Sequence, residues 1–397
     1  MRFTVKKVKA GVLVAFALGL SAWFGPSLLS YGQGQMQGPA PASSRPWRPN
    51  KPFKEAGYVG SEACAECHAG IAAKQHNTAM GNALETVAES RVLRSRPRFT
   101  FRLGPYTYQI TRQGERSIYS VTDGVNTISE PILYSFGQGK AGQTYVLRRG
   151  PGPAFYESRV SYYRRIDGLD ITLGYPPTAP SSLEEAFGRQ ISTDEARSCF
   201  ACHSTASVSG RNLQLEHLSP GVRCEACHGP GREHVAAMES GKFLDPRIFN
   251  PGKMSPDELT QDFCGSCHRS AEQVVEMNML NINNVRFQPY RSFTSAGHDP
   301  NDKRLSCTAC HDPHDNPRSD AASYDGNCLS CHQSAAALKS ALTAKSERSK
   351  GRAAKACPVG DKNCVTCHMP KVELPGSHFK FTDHRIRIAR PGEPFPN

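Results

Sequence analysis

Between Cys199 and His368 one pentapeptide recurs six times: Cys199-Phe-Ala-Cys202-His203, Cys224-Glu-Ala-Cys227-His228, Cys264-Gly-Ser-Cys267-His268, Cys307-Thr-Ala-Cys310-His311, Cys328-Leu-Ser-Cys331-His332 and Cys364-Val-Thr-Cys367-His368. A seventh copy, Cys64-Ala-Glu-Cys67-His68, stands alone near the N-terminus. Numbered in chain order, these are motifs 1 to 7. The spacing is that of a c-type haem attachment site: two thiols form thioethers to one porphyrin, and the next residue offers an axial imidazole. The competing reading is zinc, because Cys-x-x-Cys pairs also build tetrahedral thiolate sites. Histidine supplies only 14 of the 397 residues. Its recurrence after all seven pairs by chance has a probability on the order of 10⁻¹⁰, and zinc chemistry does not demand that pattern. The sequence therefore predicts seven covalently attached haems, each with its iron.

Working outward, six motifs fall within roughly 170 residues, and only 38% of the chain is hydrophobic. Most side chains in this region are expected to pack on porphyrin faces, with short helices and loops between them. Net charge is +12. Removing Arg2, Lys6, Lys7 and Lys9 with an N-terminal leader leaves +8, and seven ferric haems at about −1 each bring the loaded protein to about +1. That balance argues against a nucleic-acid partner, and no basic-aromatic motif supports one.

The leader is read from those basic residues, an apolar run from Ala10 to Phe24, and small residues at Ser30 and Gly32. Residues 1–32 are predicted to be a secretory signal peptide, with membrane association only if the segment stays uncleaved. Export, to the periplasm or beyond, agrees with haem attachment outside the cytoplasm. Residues 33–57, rich in Gly, Gln, Pro and Ser, read as a disordered linker. The first haem segment spans 58–90; a helix there would set His68 and His76 on one face about 12 Å apart, so that His76 serves a neighbouring haem.

From 91 to 178 the pattern changes to alternation: Phe99/Phe101/Leu103, Tyr106/Tyr108/Ile110 and Ile118 to Val121, then Asp123-Gly124 as a turn, then Tyr145/Leu147 and Val160/Tyr162. This is read as an inserted antiparallel β module. Residues 179–397 form the six-haem region, where Ser181 is expected to cap a short helix and Ser255-Pro256-Asp257-Glu258 to start another that runs into Cys264. Ala271 to Leu280 reads as the helix that follows. The predicted fold class is thus a mainly α, loop-rich multihaem array interrupted by a β module.

Seven histidines lie outside the motifs. His76, His234, His314 and His384 are the leading candidates for second axial ligands to iron, followed by His298 and His378; His217, in Leu-Glu-His-Leu, reads equally as a surface residue. Met80, Met238 and Met277 are read as packing on porphyrin, and Cys357 as a thiol outside the motifs. Gly221-Val-Arg-Cys224-Glu-Ala-Cys227-His228-Gly-Pro-Gly, Cys364-Val-Thr-Cys367-His368-Met-Pro-Lys with Ser377-His378 and Phe381-Thr-Asp-His384, and the opening Tyr58-Val-Gly-Ser-Glu-Ala-Cys64 together resemble multihaem cytochromes of the c-552/4 type, relatives of pentahaem nitrite reductase and octahaem hydroxylamine oxidoreductase. The resemblance implies closely packed haem pairs and distal histidines at positions such as His234 and His384. The chain departs from it in lacking a Cys-x-x-Cys-Lys site and in carrying the β insertion. The functional expectation is electron transfer between redox partner proteins. The alternative is an oxidoreductase acting on nitrite, hydroxylamine or sulfite at a haem with an open axial position.

Overall fold

The structure is a computed structural model that describes residues 57–150, 152–332, 357 and 359–396. The expected leader and nearly all of the expected linker lie outside the described residues. Alternation of β-branched and aromatic residues with polar ones produces nine strands: β1 (Leu84–Thr86), β2 (Arg98–Leu103), β3 (Tyr106–Gln113), β4 (Arg116–Thr122), β5 (Thr127–Phe136), β6 (Gln143–Arg148), β7 (Phe155–Tyr163), β8 (Gly168–Ile171) and β9 (Gly188–Ile191). They form one antiparallel sheet in the order β2-β3-β4-β5-β6-β7-β8, with β1 added to β5 and β9 to β7. The two ends of that order curl toward each other. Arg96, just before β2, pairs with Asp167, just before β8, and the Phe99 and Tyr162 rings meet edge to face at 5.5 Å.

Closure gives the sheet an inside. In β3, Tyr106, Tyr108 and Ile110 are buried, and in β4 Ser117, Tyr119 and Val121, with Tyr145, Leu147, Val160, Leu169 and Phe187 completing the core. Within the stretch Ile118 to Val121, Tyr119 and Val121 point inward and Ile118 is half-buried between Ser117 and Tyr119. The Asp123-Gly124 turn falls where expected. Asp123 Oδ1 accepts from the N–H groups of Val125 and Asn126 at 2.8 and 2.7 Å, and Gly124 supplies φ +93°.

The expectation of a mainly α protein is overturned by this nearly closed sheet, the largest ordered body among the described residues. The physical reason is twofold. The sheet recruits strands from beyond both ends of the alternating stretch, β1 before it and β9 after it. The haem region, meanwhile, is built from helices of mostly four to eight residues, because Gly, Pro and the motifs themselves interrupt every longer run.

The start signals are mostly legible. Ser182, one residue after the expected cap, accepts from the Glu185 N–H, while Glu185 reaches back to the Ser181 N–H and hydroxyl. Ser192 caps Thr193–His203, which carries motif 2. Ser255 caps the run into motif 3's successor as expected, but Glu258–Cys264 is wound as a π-helix. The helix after motif 4, capped by Ser270, is shorter than read, Ala271–Glu276. Gly60–His76, carrying motif 1, is kinked at His68 (φ −111°, ψ 37°), so His68 and His76 do not share one straight helical face.

Among the described residues no helix is long and apolar enough to cross a membrane.

Candidate functional site

Three of the motif histidines are held from behind. The Nδ1–H of His203 donates to the Ala83 carbonyl at 3.0 Å, that of His228 to Phe249 at 2.9 Å and that of His368 to Arg387 at 2.8 Å. Such bonds fix the ring and its tautomer and leave the Nε2 lone pair free for a metal. Two histidines outside the motifs have the same support: His234 donates to Pro246 and His384 to Thr382, the latter at 3.0 Å. Burial, with His311 nearby, pushes His384 down to about 4, which keeps it neutral at physiological pH. Burial likewise lowers His203 and His311.

Three of these rings face motif histidines across a fixed gap. Ring centres of His68 and His234 are 6.4 Å apart, of His228 and His314 6.1 Å, and of His311 and His384 6.2 Å. Direct aromatic stacking offsets two rings in contact. Two imidazoles that held one iron between them would have ring centres about 6 Å apart. These three histidine pairs have that separation and are the residues that would hold haem iron from both sides. His68 and His314, with Cys67, line one cavity. A second cavity of about 2500 Å³ is lined by Cys199, Cys202 and His203, by Cys264, Cys267 and His268, by Cys307, Cys310 and His311, by Cys328, Cys331 and His332, and by His384. All fifteen cysteines are free of disulfides. No three His, Cys, Asp or Glu side chains converge on a common point among the described residues, as a structural zinc site requires.

The other candidates stand differently. His76 Nδ1 accepts from Arg223 at 2.8 Å, so its proton sits on Nε2 when the ring is neutral. His378 Nε2 is 2.7 Å from Asp170 Oδ2, against the ring of Tyr163. His298 Nε2 is 3.7 Å from Asp257, and His217 is exposed beside Glu216.

Adjacent motifs touch through their thiols. Cys64 adjoins Cys224 (motifs 1 and 3), Cys202 adjoins Cys267 (2 and 4), Cys264 adjoins Cys307 (4 and 5), and Cys328 adjoins Cys364 (6 and 7). Cys227 lies near Cys267, and Cys310 near Cys328, which joins motif 3 to 4 and 5 to 6. Motifs 1 and 3, 2 and 4, 4 and 5, and 6 and 7 are thus in contact, and 3 lies near 4 and 5 near 6, which orders the motifs 1-3-4-5-6-7 with motif 2 as a branch on motif 4.

Carboxylates that sequence reading did not single out latch these neighbours together. Glu225, inside motif 3, accepts from Val59 N and Gly60 N at 2.9 Å each and from Gly231 N at 2.8 Å, and so caps the motif 1 helix from another segment. Asp325, at the start of the motif 6 helix, accepts from Asn363 N at 2.7 Å and Cys364 N at 2.9 Å, at the start of the motif 7 helix. Bonding to those amides lowers the Asp325 carboxyl. Arg291 and Asp383, fully buried, pair at 2.8 and 3.0 Å, and Arg291 also donates to the Pro396 carbonyl at 2.8 Å. This clamp fixes the residue next to His384. The only signal for these residues lay in an acid just before or inside a motif.

Two family profiles match the chain. That described as cytochrome c3 covers residues 297–374, which hold motifs 5 to 7. That described as cytochrome c554 and c-prime covers 178–229, which hold motifs 2 and 3. Both profiles describe c-type cytochromes, and with the seven motifs they support a multihaem c-type cytochrome. Cytochromes of this kind carry covalent haem c with iron and transfer electrons to redox partners, and this chain has the thiols for the attachment. No curated protein matches this cytochrome. Among solved structures, the crystal structure of outer cell wall cytochrome OcwA aligns over 83% of this chain and 80% of its own, at 16% identity and a TM-score of 0.47.

Proposed function

We propose that the cytochrome carries seven haems and conducts electrons between redox partner proteins outside the cytoplasm, after export by the leader at 1–32. The carrying observation is that motifs 1 and 3, 2 and 4, 4 and 5, and 6 and 7 meet through their thiols, with 3 near 4 and 5 near 6, because such neighbours bring the porphyrin edges they would bear close together. Haem c supplies the one-electron carrier; the chain supplies its position and its electrostatic setting. His68 with His234, His228 with His314, and His311 with His384 are the residues that would hold three irons from both sides. The same motif 3 and motif 7 surroundings support kinship with the c-552/4 group.

One observation favours a second reading, reduction or oxidation of a small nitrogen or sulfur compound. His268 is exposed to the large cavity, and like His203, His332 and His368 it has no histidine ring facing it across an iron-wide gap among the described residues. Electron paramagnetic resonance of the oxidised protein separates the two. Low-spin signals untouched by nitrite, hydroxylamine and sulfite support conduction; a high-spin haem that binds one of them and turns it over supports the enzyme.

A further inference from the structure

Motif 4 is the branch point of the series, and two arginines border it. Arg269 directly follows His268 at φ +69°, a conformation that a residue with a β-carbon enters only at a cost. Arg286 ends the turn Ile282–Arg286 and lines the large cavity together with His268 and Gln288. The Arg269 charge is felt by both motifs of the branch: it opposes protonation of His203 and favours the thiolates of Cys202 and Cys267. It is felt by Arg286 as well, which burial first of all, and then Arg269, pushes down to about 10.

Neither guanidinium has a hydrogen-bond or ion-pair partner among the described residues. The Nε of Arg286 is buried without an acceptor, and its guanidinium rests over the Phe287 ring at 5.3 Å. The Gln288 side chain turns to His268 and offers neither arginine a counter-charge. Both arginines are half-buried; a guanidinium whose Nε is sealed from water without an acceptor is costly, and a second cation beside it adds to the cost, so such a group persists where an anion completes it. The planar fork of arginine matches a carboxylate.

We propose that Arg286, with Arg269 beside it, seats a propionate carboxylate of a haem at the junction of motifs 2 and 4. This rests on the reading that both motifs carry haem. The positive pair then favours the reduced state of the junction haem, so electrons arriving along the series are held where the branch leaves it.

The test is a potentiometric titration of the haem-loaded Arg286→Gln protein, its haem content first matched to wild type by pyridine haemochrome. The reduction equilibrium constant of one haem should fall about tenfold, or 59 mV for one electron, the order expected of a unit charge about 10 Å away at an effective dielectric of about 20. Arg286→Lys, which keeps the charge, should stay within about threefold of wild type. If Arg286→Gln does not fold, Arg269→Gln should show a fall in the same direction. Potentials within about twofold of wild type in a fully loaded variant would overturn the seat. So would inorganic phosphate or nitrite shifting that potential in wild type but not in the variant, which would make the site one for a free anion. A wild-type chain without haem would overturn the electron-transfer reading as well, and so is told apart from failure of the seat alone.

Discussion

Glu225→Gln isolates the latch between the first haem segment and the rest of the array. The wild-type carboxylate is 5% exposed and accepts three backbone N–H groups, two on Oε1 and one on Oε2. An amide keeps one accepting oxygen and turns an NH₂ toward the third N–H, that of Gly60 if the oxygen stays with Val59 and Gly231. One charge-assisted bond is lost, worth about 1.5–3 kcal/mol, and the orphaned N–H adds a desolvation cost of similar size that water at the helix end partly relieves. The expected destabilisation is about 3 kcal/mol, which in a chain of this length lowers a single cooperative thermal transition by about 4 °C. The helix freed by that loss carries His68, so the His68–His234 gap should no longer be held, and one low-spin haem should become high spin. The assay is a melt of the haem-loaded variant followed at the Soret band, with low-temperature electron paramagnetic resonance of the oxidised sample at neutral pH. A variant that melts with wild type and keeps its low-spin signals would refute the latch.

His314→Ala should convert about one haem to high spin with the others unaffected, read from the same resonance spectrum; an unchanged spectrum removes His314 from the ligands. Asp383→Asn leaves Arg291 buried and under-paired, so about 3–5 kcal/mol of stability should be lost in a denaturant melt, with His384 released from its place opposite His311. Acid should act on His384 itself. In the haem-free chain burial depresses its pKa to about 4 from an ordinary value near 6.5, so its stabilisation is fully present above pH 6.5 and is lost as pH falls toward 4. The loss approaches about 3 kcal/mol by pH 4 and has the same sign as loss of an iron ligand. His384→Leu should flatten that part of the stability profile.

What could be read in the sequence was whatever rests on spacing. The seven motifs, the β-rich character of the middle segment, the Asp123-Gly124 turn and the caps at Ser255 and near Ser181 depend on residues close in sequence. His234, His314 and His384 were among the candidates because each lies near a motif or in a recognisable surround. The errors came from contacts between distant segments. The sheet took strands β1 and β9 from outside the alternating stretch, and its closure made it a body too large for a mainly α class. A kink at His68 undid the helical alignment of His76, whose ring meets Arg223 instead, and His378 meets Asp170 on β8. Glu225, Asp325, Arg286 and Gln288 have no local pattern, because their roles exist only once motifs far apart in sequence are side by side.

The central claim, that these thiols bind haem and that the whole series is filled, is tested most directly by the intact mass of the mature chain expressed with the haem-maturation machinery. The expected mass is that of the polypeptide plus seven haems, retained on denaturation because the attachment is covalent. A mass equal to the polypeptide alone, or a chain loaded with zinc and lacking a Soret band, would contradict it.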